Sequence, residues 1–99
     1  MKYLAFDLDE GTDGVNTLEA MASTSAEQHA AVLAEAQRVL DWAWQHFPDS
    51  HGRVDDGMAW DHHLLVQLES GGWHTVTLTL AASPQFVDAF LAAFGGSTG

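Results

Sequence analysis

Residues 58–80, MAWDHHLLVQLESGGWHTVTLTL, constrain the fold more than any other stretch. Leu64, Val66 and Leu68 alternate with His63, Leu65, Gln67 and Glu69, and Val76, Leu78 and Leu80 alternate with Thr75, Thr77 and Thr79. A period of two rich in β-branched residues marks half-buried strands. The loop decides how the two arms pair. A Gly71-Gly72 loop would set Leu68 against Thr75 and turn the apolar residues of the two arms to opposite faces. A Ser70-Gly71-Gly72 loop pairs Glu69 with Trp73, Val66 with Val76 and Leu64 with Leu78, and Gly72 supplies the left-handed residue on which such loops end. A slip by one residue would turn one arm's apolar set to water, so the longer loop is predicted.

That register sorts the side chains by face. His62 and His74 share the apolar face, six rows apart, which is roughly 20 Å at about 3.3 Å per residue and too far for one metal ion. His62 and His63 point to opposite faces while the strand stays extended. The other face carries Asp61, His63, Leu65, Gln67, Glu69, Trp73, Thr75, Thr77 and Thr79. It is polar with little charge, and Leu65 and Trp73 would anchor a contact with a second copy or a partner. The competing reading is a solvated strand face.

The remaining segments follow from similar patterns. Residues 3–9 alternate, with Leu4, Phe6 and Leu8 on one side and Tyr3, Ala5, Asp7 and Asp9 on the other, and predict a first strand. Residues 10–14, EGTDG, form a turn. Residues 15–23 continue as a strand with Leu18, Ala20 and Ala22 inward, although Leu, Glu, Ala and Met there also suit a helix.

Residues 26–47 predict a long helix. Ser25 is its N-cap, Gln28 completes a capping box, and Pro48 stops it. Leu33, Ala36, Leu40, Ala43, Trp44 and Phe47 form the apolar stripe, widened by Val32 and Val39. Glu27, Glu35, Arg38, Asp41 and Gln45 lie opposite, together with Trp42, a candidate contact residue. Residues 48–58 are a loop. Ser83-Pro84 opens a second helix whose stripe is Phe86, Val87, Phe90, Leu91 and Phe94, with Gly95 at its end.

The order β-β-α-β-β-α predicts an α+β two-layer sandwich, with two helices on one face of a mostly antiparallel four-stranded sheet. Its open face bears Thr75, Thr77, Thr79, Asp7 and Asp9. A chain of 99 residues makes one domain, placed at 1–95, with a disordered tail at 96–99.

Charge narrows the function classes. Fourteen acidic residues against Lys2, Arg38 and Arg53 give a net charge of −11. Nucleic-acid and anionic-membrane binding need clustered Lys and Arg, so neither partner is expected. No stretch approaches the length of a membrane span, and MKYLAFDLDE lacks the apolar run of a signal peptide. The absence of cysteine removes disulfides and thiolate metal sites and agrees with a cytoplasmic setting.

Three constellations bear on chemistry. The string LAFDLDEGTDG, residues 4–14, resembles the first motif of haloacid-dehalogenase-type phosphatases, where Asp7 would be the nucleophile and Asp9 the acid/base. It departs from that motif by Glu10, inserted before Gly11-Thr12. The family also requires a downstream lysine and a parallel-sheet domain, whereas the sole lysine is Lys2 and the chain is too short for that domain. Asp7, Asp9, Glu10 and Asp13 offer hard oxygen donors, but an EF-hand loop begun at Asp9 would put Gly11 and Ala20 at liganding positions. The densest polar stretch is His51 to His63. Asp55, Asp56, Asp61 and His63, with His62 and His51, are the candidate metal ligands, although none of the usual ligand spacings is present. No P-loop or dinucleotide fingerprint occurs.

The expectation is a non-enzymatic interaction protein that implies no cofactor. It would form a homodimer through the open sheet face or bind a basic protein partner. The contact residues would be Leu65, Gln67, Trp73, Thr75, Thr77, Thr79 and Trp42. The alternatives are a small metal-binding protein or metal-dependent enzyme built on residues 51–63, and an acidic nucleic-acid mimic.

Overall fold

The computed structural model describes residues 3–11 and 14–95. Strands β1 (Asp7–Glu10), β2 (Asn16–Thr24), β3 (Trp60–Leu68) and β4 (His74–Ala82) form one antiparallel sheet in the order β1-β2-β4-β3. Helix α1 (Ala26–His46) connects the two hairpins. Helix α2 (Pro84–Phe90) follows β4 and runs into a π-helical turn, Leu91–Gly95. This is the α+β, β-β-α-β-β-α arrangement that the periodicities predict. Positions 96–99, expected to be a disordered tail, lie outside the described residues. No helix among the described residues is long and apolar enough to cross a membrane.

The central hairpin takes the predicted register. Val66 stands opposite Val76 and Leu64 opposite Leu78. The Glu69 N–H donates to the Trp73 carbonyl at 2.7 Å, and both Gly71 and Gly72 have positive φ. The inward faces of β2 and β4 supply Leu18, Ala20, Ala22, Val76, Leu78 and Leu80 to the core, against Val32, Ala36, Val39 and Ala43 of α1 and Phe86 and Phe90 of α2. Trp60 is fully buried there, and its Nε1–H donates to the Phe47 carbonyl at 3.0 Å. That bond satisfies the one polar atom of an otherwise apolar side chain.

Four local expectations need correction. The first strand is not residues 3–9 but the four residues of β1. The carboxylate of Glu35 accepts the backbone N–H of Tyr3 at 3.0 and 3.1 Å and that of Leu4 at 3.0 Å, so the start of the chain is tied to α1 and not to a ladder. Glu35 is accordingly buried, not on the solvent side of α1. Ser25 occupies the N-cap position of α1, but its hydroxyl donates to the Gln28 side chain, so no capping box closes on the backbone. Ser83 does cap α2, accepting the Phe86 N–H at 3.3 Å.

The fourth correction concerns two tryptophans. Trp42, expected on the outer face of α1, packs edge-on against Phe86, Phe90 and Phe94 with ring centroids 5.4 to 6.1 Å apart. Trp44, expected in the core stripe, is 42% exposed. The aromatic stripe of α2 lies against the Trp42 flank of α1, which moves the buried arc of the longer helix toward that side.

Candidate functional site

The two edges of the sheet are unlike. β1 is four residues long and bears Asp7, Asp9 and Glu10. Short, charged edge strands resist pairing with another chain. β3 is nine residues long, contains no proline or lysine, and carries no acid between His62 and Leu68. Its register against β4 is regular from Trp60 to Leu68, so no bulge interrupts it.

The backbone direction along β3 follows from bonds at its two ends. Trp60 turns outward, its N–H donating to the Ser50 carbonyl at 3.2 Å and its carbonyl accepting the Gly52 N–H at 2.9 Å. Glu69 turns inward, toward Trp73. Backbone groups alternate along an antiparallel strand, so Leu64, Val66 and Leu68 present their N–H and C=O groups to the free edge. The segment 50–52 covers only the start of that edge.

The same three residues carry the uncovered apolar side chains. Helix α1 packs over β2 and β4; among the described residues β3 is covered by the helices at Trp60, while comparable packing does not extend along the rest of the strand. Leu64 is 38% exposed, Val66 45% and Leu68 72%, although their alternation puts them on the face that is buried in β4. Side-chain exposure and free backbone groups therefore coincide on one side of the sheet.

The residues expected on the open face are placed unevenly. Leu65 and Trp73 are exposed there at 42% and 51%, and Gln67 is exposed as well. Thr77 and Thr79 are half-buried, and Thr79 donates to Glu19 Oε2 at 3.3 Å. Thr75 is buried, its hydroxyl 3.1 Å from Ser23 Oγ and 3.2 Å from Glu69 Oε1. Trp42 belongs to the aromatic cluster on the other side of the sheet. This set does not form one continuous exposed patch.

A second feature lies where β3 begins. His51 bridges to Trp60, which brings its ring beside those of Trp44, Trp60 and His62, at centroid distances of 4.5, 4.6 and 4.9 Å. His51 Nε2 is 2.9 Å from His62 Nδ1 and 3.1 Å from Asp61 Oδ1. Strand alternation alone would send Asp61 and His62 to opposite faces. The Asp61 carboxylate instead folds back at the edge and accepts the His62 N–H at 2.8 Å. The pKa of His62 is lowered, first by burial and then by His51 and His63, with Asp61 opposing.

Of the candidate metal ligands, only Asp61 and His62 join this corner with His51. His63 points to the opposite face. Asp55 and Asp56 pair with Arg53 at 3.1 and 3.8 Å on the turn Val54–Asp56. The dense run of polar residues marked the region. Which three meet depends on the 50–52 segment pairing beside Trp60, and no periodic pattern announces that contact.

No protein-family model, curated protein or solved structure matches the chain.

Proposed function

We propose that this protein is a non-enzymatic interaction module that self-associates by antiparallel pairing of β3 with β3 of a second copy. One observation carries the reading: the free edge of β3 offers unpaired backbone groups and exposed apolar side chains from the same residues, Leu64, Val66 and Leu68.

Self-pairing about a two-fold axis normal to the sheet keeps both sets of helices on one side. It matches even-numbered positions of one copy to even-numbered positions of the other. Those positions hold both the outward backbone groups and the apolar side chains, so hydrogen bonding and burial are satisfied together in any such register. Charge favours a second copy as the occupant. Each chain is at −11, yet the pairing segment 62–68 carries no acidic side chain, so the contact itself opposes no like charges. A basic partner would find little to pair with there.

Size-exclusion chromatography with light scattering tests the reading. The wild-type protein is expected at twice the 10.7 kDa chain mass. Val66→Lys is expected at the single-chain mass with an unchanged far-ultraviolet circular dichroism spectrum, because an edge lysine opposes pairing. Leu65→Asp on the open face is expected to stay dimeric. A wild-type monomer at high protein concentration would overturn the reading. So would a dimer that Leu65→Asp or Trp73→Asp dissociates and Val66→Lys does not, since it would place the contact on the open sheet face.

A further inference from the structure

We infer that His51, Asp61 and His62 form a binding site for a first-row divalent ion of the zinc type. The site adjoins the β3 pairing segment at His62 but does not rest on the pairing.

The first argument is geometric. Donors bound to one ion at about 2.0–2.1 Å stand roughly 2.9–3.4 Å apart, from octahedral to tetrahedral angles. The His51 Nε2 separations of 2.9 Å to His62 Nδ1 and 3.1 Å to Asp61 Oδ1 fall in that interval. Each of the three residues offers one donor atom, and these lie within 4.8 Å of one another.

The second argument is one of proton count. A histidine nitrogen carries one proton or one lone pair, and an ionised carboxylate only accepts. If His51 Nε2 carries a proton, that single N–H has two acceptors, His62 Nδ1 and Asp61 Oδ1. If His62 Nδ1 donates to His51 Nε2 instead, the Asp61 oxygen faces a lone pair at 3.1 Å. Each neutral arrangement makes one of the two short contacts either a shared N–H or a lone-pair contact. A cation at the centre satisfies all three donors at once.

Donor type and surroundings select the ion. Two imidazoles and one carboxylate suit zinc, nickel, copper or iron, whereas calcium and magnesium prefer oxygen alone. The net charge of −11 raises the local concentration of any cation. His51 and Asp61 are partly exposed, which leaves a path for entry, and three protein donors leave a further position for water. The indole rings of Trp44 and Trp60 flank both histidines, at 4.5 and 4.6 Å from His51 and 6.5 and 5.7 Å from His62. Their emission therefore reports on a quenching ion bound there.

The test uses the full chain freed of metal, with Zn²⁺ by calorimetry and Ni²⁺ by quenching of tryptophan emission. One Zn²⁺ per chain is expected, and Zn²⁺ is expected to reverse the Ni²⁺ quenching. Asp61→Asn, His51→Gln and His62→Gln should each weaken Zn²⁺ at least ~10-fold, because even partners that only orient a ligand are worth that much. Asp61→Asn preserves shape, so it remains informative if a histidine variant misfolds. His63→Gln and Asp55→Asn should bind as the wild type does. Val66→Lys should also retain one ion per chain, which separates this result from the pairing result. No saturable Zn²⁺ binding, or binding that Asp61→Asn leaves intact while His63→Gln or Asp55→Asn removes it, would overturn the assignment.

Discussion

Glu35 was the residue least readable from the sequence. Helical spacing puts it with Glu27, Arg38 and Asp41 on the polar side of α1, and nothing local says that the start of the chain comes back to meet it. Its carboxylate accepts two backbone N–H groups from Tyr3 and Leu4, which anchors Leu4 in the core. Hydrogen bonds to a charged group contribute about 1.5–3 kcal/mol each, and losing the acceptor strands their donors. Glu35→Ala is thus expected to lower the unfolding free energy by about 2 kcal/mol in denaturant titrations. Exposed Glu27→Ala, in the first turn of the same helix, should change it by no more than about 0.5 kcal/mol. Equal effects of the two would sink the anchoring role. Trp42 makes the same point for an aromatic residue. A single helix reading has one stripe, but α1 meets a second aromatic surface, that of α2, which the pattern of α1 does not encode. Trp42→Ala should cost roughly 3 kcal/mol without altering oligomeric state, the opposite of what a solvent-facing contact residue would do.

The strands were legible where alternation and turn chemistry agreed. For β3 and β4 the facing residues and the three-residue loop follow from the sequence, because only one register puts both apolar rows on one face. Strand order could not be deduced, since the same four strands close equally well in other orders. Order is what leaves β3 at an edge and uncovers Leu64, Val66 and Leu68. The backbone alternation along this edge gives a sharp contrast between neighbours. Proline at 66 removes an N–H that faces outward, a tolerated position on an edge strand. Proline at 65 removes an N–H that faces β4, in the pair Leu65–Thr77. Leu65→Pro is therefore expected to destabilise the fold by about 2 kcal/mol more than Val66→Pro. Val66→Pro should nonetheless abolish self-pairing. Thermal unfolding and light scattering on the two variants decide this, and comparable destabilisation by both would mean that the N–H groups of Leu65 and Val66 do not face opposite sides of β3.

At the level of the whole molecule, charge and the pairing edge pull in opposite directions. Two chains at −11 repel each other over distances comparable to the Debye length, while the uncharged segment 62–68 draws them together through backbone bonds and apolar burial. Only the repulsion is screened by added salt. Raising sodium chloride from about 0.05 M to about 0.5 M shortens the Debye length from roughly 14 to 4 Å. Self-association is then expected to tighten several-fold, read as a falling dimer dissociation constant in sedimentation equilibrium. Capture of a basic partner by the acidic surface has the reverse sign, because salt screens attraction. An association that weakens steadily over this range would point to opposite charges in contact, which two identical β3 edges cannot provide. It would move the interaction from the apolar row of β3 to the acidic surface that surrounds it.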